Sequence, residues 1–446
     1  MSSSGAARNF SVKELLSAAV ARQEELYREA NPKSSAHFEK ACRWLPAGST
    51  RATVFYAPFP LTIKKGEGAY IEDLDGHRYR NFVGEFTAGL YGHDTVLLNK
   101  ILTELGKTGM MLSGPSEYEA KLAEIICTRF TSCEKVRFCN SGTEANLLAL
   151  GLARNASKRE AVLVFKGAYH GGFLTFGDPD GALNVPLRTV KAVYNDLEGT
   201  RELIRKNKDI LGAAIIEPMM GAGGCIPADR AFLQMLREET AKNDIVLIFD
   251  EVMTSRLSPS GLQGVHGIKP DLTSFGKYMG GGFSFGAVGG ADKIMSLLDA
   301  RIDGAVPHPG TFNNNIASMI GGYFALSQHY TPEQNIALNE MGDRFRARLN
   351  FLAREHDADL QFSGLGAVMS AQFVRKQITN PADAENPNAA LLRKLLHLSL
   401  LSKGVYIAHR CLVTLNLMMT EADLDAFCDS YTEFLKENRE LLSADV

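Results

Sequence analysis

Between Tyr118 and Phe249 short apolar runs alternate with helical ones, and no other feature of the chain limits its fold as strongly. Residues 119–130, 143–154 and 230–243 read as helices, and 203–208 lie in another. The runs 135–139, 161–165, 213–216 and 245–249 read as strands. Apolar strands this short, each followed by a helix, predict a mostly parallel sheet covered on both faces. Ligands of such a sheet sit at the carboxyl ends of its strands. The flanks differ. Ser11-Val12-Lys13-Glu14 is a capping box that opens a helix to about Ala30, ended by Asn31-Pro32, with a short helix over 36–44 beyond. Asp75-Gly76 marks a hairpin turn between two strand-like runs. After about Gly321 comes a smaller α+β region: Thr331-Pro332-Glu333 caps a helix to about His356, 391–402 is helical, and 405–408 and 412–417 are strands. Three parts are expected: an N-terminal segment, 1–65, packing with the small domain; a large domain, 66–320; and a C-terminal small domain, 321–446.

Composition excludes several function classes. The 446 residues are 45% apolar and carry a net charge of −3, so no basic excess suggests nucleic acid or an anionic membrane. The seven cysteines are scattered and form no C-x-x-C pair, which favours neither a disulfide framework nor a zinc site. Met1 to Phe10 lacks the apolar stretch of a secretory signal, and no run approaches a membrane span. A soluble protein of the reducing cytoplasm is expected.

Four features fall in order on the predicted strand ends. Asn140-Ser141-Gly142-Thr143-Glu144 follows a strand and opens a helix, where backbone N–H groups and two hydroxyls can cradle a phosphate; alone, it is equally an ordinary N-cap. Tyr169-His170-Gly171 offers a ring that can stack on a flat cofactor, or a core tyrosine. Asp250, ending Ile248-Phe249-Asp250-Glu251-Val252, needs a partner if buried; a protonated pyridine nitrogen, a metal or a helix end would each serve. No His–carboxylate cluster at ligand spacing favours the metal. Lys277, in Ser274-Phe275-Gly276-Lys277-Tyr278-Met279-Gly280-Gly281-Gly282, is either a solvated lysine or an amine that approaches a ligand closely and forms a Schiff base. Tyr278 stands where a nucleotide-binding loop requires Ser or Thr. Taken together, the four supply what a pyridoxal 5′-phosphate (PLP) site needs.

From about Arg51 onward, N-S-G-T-E-A, Y-H-G, E-P, D-E-V, G-K-x-x-G-G-G and G-T-F resemble the class III aminotransferases of PLP fold type I. That resemblance implies a large domain with a mostly parallel seven-stranded sheet and a smaller α+β domain. It also implies roles: Ser141, Gly142 and Thr143 on the phosphate; Tyr169 on one ring face and Val252 on the other; Asp250 at the ring nitrogen; Lys277 as Schiff-base amine. Glu217 matches the E-P motif, as an orienting residue or a plain strand-end carboxylate. Thr311 resembles the residue that reaches the neighbouring subunit's phosphate, which implies a homodimer.

The family includes glutamate-1-semialdehyde 2,1-aminomutases, and D-E-V-M-T is similar to them. Three stretches depart from that branch: Ser255-Arg256-Leu257, Phe312-Asn313-Asn314-Asn315 and His409-Arg410-Cys411. With Ser49-Thr50-Arg51 and 55–60 they resemble the β-phenylalanine aminotransferases. The expected reaction moves the amino group of a β-amino acid to 2-oxoglutarate or pyruvate in ping-pong order, with the aminomutase as the alternative. One site must then read a donor carboxylate and, differently placed, an acceptor α-carboxylate, a task for guanidinium forks. Arg51 is the candidate for the donor and Arg410 for the acceptor; either is otherwise a loop or strand-end residue. Val54, Phe55, Phe86 and Ala88 are candidates for an apolar side-chain pocket. A catalytically inactive PLP-fold regulator and a nucleotide-binding protein are rival classes; the full set of motifs disfavours the first and the missing phosphate loop the second.

Overall fold

The computed structural model describes residues 11–443; Met1 to Phe10 lie outside the described residues. At its centre is a seven-stranded sheet: β1 (Lys135–Cys139), β2 (Ala161–Phe165), β3 (Thr189–Ala192), β4 (Leu211–Ile216), β5 (Val246–Asp250), β6 (Leu272–Gly276) and β7 (Gly286–Gly290). Their spatial order is β1-β7-β6-β5-β4-β2-β3. Every pairing is parallel except those of β7, which runs antiparallel to both β6 and β1. Strands β2, β4, β5, β6 and β7 are buried along their whole length, because helices cover both faces.

Strand β7 went unread in the sequence, and its residues say why. Its run Gly-Ala-Val-Gly-Gly has little β-propensity. The glycines serve close packing instead: a Cβ on Gly286 would lie 2.2 Å from the Ser141 carbonyl oxygen, and one on Gly289 2.2 Å from Cys133 Sγ. The same strand therefore presses against the start of the helix Gly142–Ser157.

A second sheet joins the two ends of the chain. Ile63–Glu67, Tyr70–Asp73 and Arg78–Asn81 pair antiparallel, and Arg78–Asn81 pairs parallel with Val405–Tyr406. A third contains Gln361–Leu365, Val368–Gln372 and Leu412–Thr414. The helix Val12–Ala30 begins with the expected capping box and packs on Ala389–Ser402. The second helix is Pro32–Ala41, four residues ahead of the expected start. Its first N–H groups, on Lys33 and Ser34, donate to the Asp75 carboxylate at 2.7 and 2.9 Å, a cap supplied from the distant hairpin turn. Among the described residues no helix is long and apolar enough to cross a membrane.

Candidate active site

Sheet register assembles the site. Strands β1, β2, β4, β5 and β6 run the same way, so Ser141, Tyr169, Glu217, Asp250 and Lys277 all emerge at one edge. Asp250 pairs with Ser274, which brings Lys277 just past the neighbouring strand end.

Asp250 is 5% exposed. Its Oδ2 accepts from Asn146 Nδ2 and pairs with His170 Nδ1, both at 2.8 Å, and its Oδ1 accepts from the Val252 N–H at 3.0 Å. A carboxylate has about four lone-pair sites. Three are used, and one remains free on Oδ1. Neither Asn146 nor His170 is a sequence candidate, although His170 lies within Y-H-G and Asn146 is one residue past N-S-G-T-E-A. A buried Asn one turn inside an otherwise apolar helix face was the available signal for Asn146.

Ser141 caps the helix Gly142–Ser157 by accepting from the Glu144 N–H at 3.1 Å, and Gly142 is the first residue of that helix. Val252 fills the space above Gly142: a Cβ there would meet its methyl groups at 2.7 and 2.8 Å. Thr143 lies against Gly171, where a Cβ would sit 2.2 Å from its Oγ1. Substituting Gly142→Ala is thus expected to overpack the site by about 1–3 kcal/mol. Denaturant unfolding should show that loss, and Val252→Ala in the same chain should recover most of it.

Tyr169 is 42% exposed, so its ring is not a core ring. Glu217 is buried and accepts from the Tyr169 and Gly221 N–H groups at 3.0 and 2.9 Å, which makes it an anchor for the backbone that carries Tyr169. Burial pushes its carboxyl above the usual range.

Lys277 has left-handed backbone, φ 56°, a strained conformation for a non-glycine residue. Its Nζ donates to the Phe86 carbonyl at 2.7 Å and to Thr87 Oγ1 at 3.2 Å. Burial, reinforced by the Arg410 charge, pulls the amine down from 10.5 to about 8. A lysine of that acidity has a substantial neutral share near pH 8, as a nucleophile or base requires.

Phe86 gathers the remaining candidates. The Arg410 guanidinium lies 5.0 Å from its ring centroid and that of Arg51 5.6 Å. Arg51 forms an exposed ion pair with Glu85 at 2.5 Å. Arg410 has no acidic partner within ion-pair distance among the described residues, and burial lowers its pKa. A cavity of about 790 Å³ opens in front of Lys277, lined by Ser141, Gly142, Val54, Phe86, Ala88 and Tyr406 among others. Arg410 borders a neighbouring cavity of about 720 Å³. Neither Phe55 nor Thr311 lines the Lys277 cavity, and Thr311 is exposed.

These residues fit PLP on their own chemistry. A buried carboxylate keeps one acceptor site free, a desolvated amine feels its charge, and a helix begins at the cavity wall with a tightly packed glycine.

A family model, Aminotransferase class-III, matches residues 52–177 and 181–435. Over 424 residues the chain is 43% identical to a β-phenylalanine transaminase of Variovorax paradoxus, a span of 95% of this chain and 97% of that one. A solved β-phenylalanine aminotransferase from Variovorax paradoxus matches with TM-score 0.94 at 42% identity, covering 96% of this chain and 99% of the other. A glutamate-1-semialdehyde 2,1-aminomutase of Lachnoclostridium phytofermentans is more distant, 34% identical across 84% of this chain and 92% of its own. The chain belongs to the class III aminotransferase family, with the fold of type I PLP enzymes and pyridoxal 5′-phosphate as its cofactor.

Proposed function

We propose that this protein transfers the amino group of a β-amino acid such as β-phenylalanine to an α-oxo acid, 2-oxoglutarate or pyruvate. One observation carries the reading: the Lys277 amine, Arg51 and Arg410 converge on Phe86, which lines the cavity in front of Lys277, while Arg410 borders the second cavity. The chain's likeness to the β-phenylalanine transaminase supports it.

When bound, PLP supplies an aldehyde that takes up the amino group and a ring that accepts the electron pair left by proton loss. Each side chain then has a task. Ser141, Gly142 and Thr143 hold the phosphate, Tyr169 and Val252 cover the two ring faces, and Asp250 Oδ1 keeps the ring nitrogen protonated. Lys277, once free, carries a proton on Nζ between the substrate carbon and the cofactor. Its contacts with the Phe86 carbonyl and Thr87 Oγ1 use two amine hydrogens and leave the lone pair for that proton. Arg51 reads the donor carboxylate, for which Glu85 must give way, and Arg410 reads the acceptor α-carboxylate. Val54, Phe86 and Ala88 line the side-chain pocket. We infer a cytoplasmic homodimer in which Thr311 serves the neighbouring site; its exposure, away from its own chain's cavity, supports that arrangement.

A panel of α-, β- and ω-amino acids with two acceptors tests the proposal. Adding 3-amino-3-phenylpropanoate should bleach the bound cofactor's visible band, and 2-oxoglutarate or pyruvate should restore it. Bleaching by 4,5-diaminopentanoate alone would instead indicate the aminomutase reaction, which needs no external acceptor. Arg410→Ala should slow the acceptor half-reaction by about 30- to 140-fold, the loss of a buried charge pair of about 2–3 kcal/mol. Equal losses in both halves would refute its assignment.

A further inference from the structure

We propose that Arg256 is a positioning residue that locks the left-handed turn Gly84–Thr87 under Lys277. Arg256 is the largest of the fully buried side chains, 1% exposed, and no acidic group lies within ion-pair distance among the described residues. An unpaired buried guanidinium is costly, so what it touches matters. Its Nη1 donates to the Thr87 carbonyl at 2.9 Å and its Nη2 to the Leu415 carbonyl at 2.5 Å. Its own carbonyl accepts from Tyr330 Oη, Asn335 Nδ2 and Asn339 Nδ2, at 2.6, 3.1 and 3.0 Å. The arginine is therefore fixed from behind by the helix Pro332–Glu355 and reaches forward to the turn.

That turn is unusual. Gly84, Glu85, Phe86 and Thr87 have φ of 46, 48, 52 and 81°, a left-handed run of which three members are not glycine. Such a run is unfavourable for L-residues and persists only where its surroundings over-determine it. Thr414 supplies the second clamp: its Oγ1 donates to the Val83 carbonyl at 3.1 Å, and a Cβ on Gly84 would lie 2.2 Å from it. The turn's products are the Phe86 carbonyl and Thr87 hydroxyl that receive Lys277 Nζ, and the Phe86 ring beneath Arg51 and Arg410. Arg256 thus acts through the turn on the amine and on both carboxylate-reading groups. This inference rests on the reading of Lys277 as the cofactor-bearing amine.

Amide hydrogen exchange and steady-state kinetics of Arg256→Met in the full-length, cofactor-loaded protein test it. Residues 82–90 should exchange at least about tenfold faster while Val246–Asp250 is unchanged, and kcat should fall about 10²-fold, as for a small displacement of a reacting group. Arg256→Lys, which keeps the charge but can reach one carbonyl, should recover part of both. Exchange that rises evenly through the chain, or unchanged exchange at 82–90 with full kcat in the folded fraction, would overturn the proposal. Should Arg256→Met fail to fold, Arg256→Lys alone decides: loosening confined to 82–90 supports it, and unchanged exchange there refutes it. The exchange pattern does not depend on which lysine binds the cofactor, so failure of the Lys277 reading would appear separately, as cofactor fixed to another residue.

Discussion

Replacing Lys277 with alanine should lower kcat by about 10⁴-fold or more and leave a folded protein. The expectation follows from the place of this amine. Among the described residues no other lysine lines the cavity in front of Ser141 and Gly142. Its own environment has already removed much of the cost of losing a proton, bringing it to about 8 from 10.5. An amine in solution would be protonated for all but a few ten-thousandths of its population at neutral pH; this one is protonated for about nine-tenths, and the neutral share rises about fivefold between pH 7 and 8. Cofactor capture by wild-type protein should accelerate over the same interval, because the neutral amine is the nucleophile. Folding should be little affected, since alanine removes a partly buried charge and leaves the left-handed backbone as it was. A matching circular dichroism spectrum with activity above about 1% of wild type would show that another group can move the proton.

The second large effect is expected at Asp250→Asn, a loss of about 10²- to 10³-fold in kcat, comparable to removing one preorganised electrostatic partner elsewhere. Shape is nearly unchanged by this substitution; charge and hydrogen-bond capacity are not. The carboxylate oxygens take Asn146, His170 and the Val252 N–H, and keep one lone pair free. An asparagine amide has a single acceptor oxygen and turns an N–H toward one of these donors or toward the cavity. Either way the ring nitrogen loses its anionic partner. Stopped-flow measurement of both half-reactions should find each slowed by a similar factor, because Asp250 serves the cofactor and not a particular substrate. Slowing of one half alone would contradict that role.

Much of the site was legible because it is written in strand ends. Ser141, Tyr169, Glu217, Asp250 and Lys277 each lie at a strand's carboxyl end or within four residues of it, so a parallel sheet places them at one edge. Long-range anchoring was not legible. The turn Gly84–Thr87 contradicts the local preference of Glu, Phe and Thr, and it is held by Arg256 and Thr414, far away in sequence. Strand ends also shifted where bonds change partner. The stretch expected as a strand over 412–417 stops at Thr414, because the Leu415 N–H turns to the Ala367 carbonyl and the Leu417 N–H to the Leu90 carbonyl. Hydrophobic periodicity records burial, and such exchanges leave burial unchanged.

The most direct test of the account is reduction of the cofactor-loaded wild-type protein with borohydride, followed by peptide mapping. The account predicts one phosphopyridoxyl adduct per chain, on Lys277, in a protein whose visible band has disappeared. A stable adduct on any other lysine, or none on a protein that had held the cofactor, would contradict it.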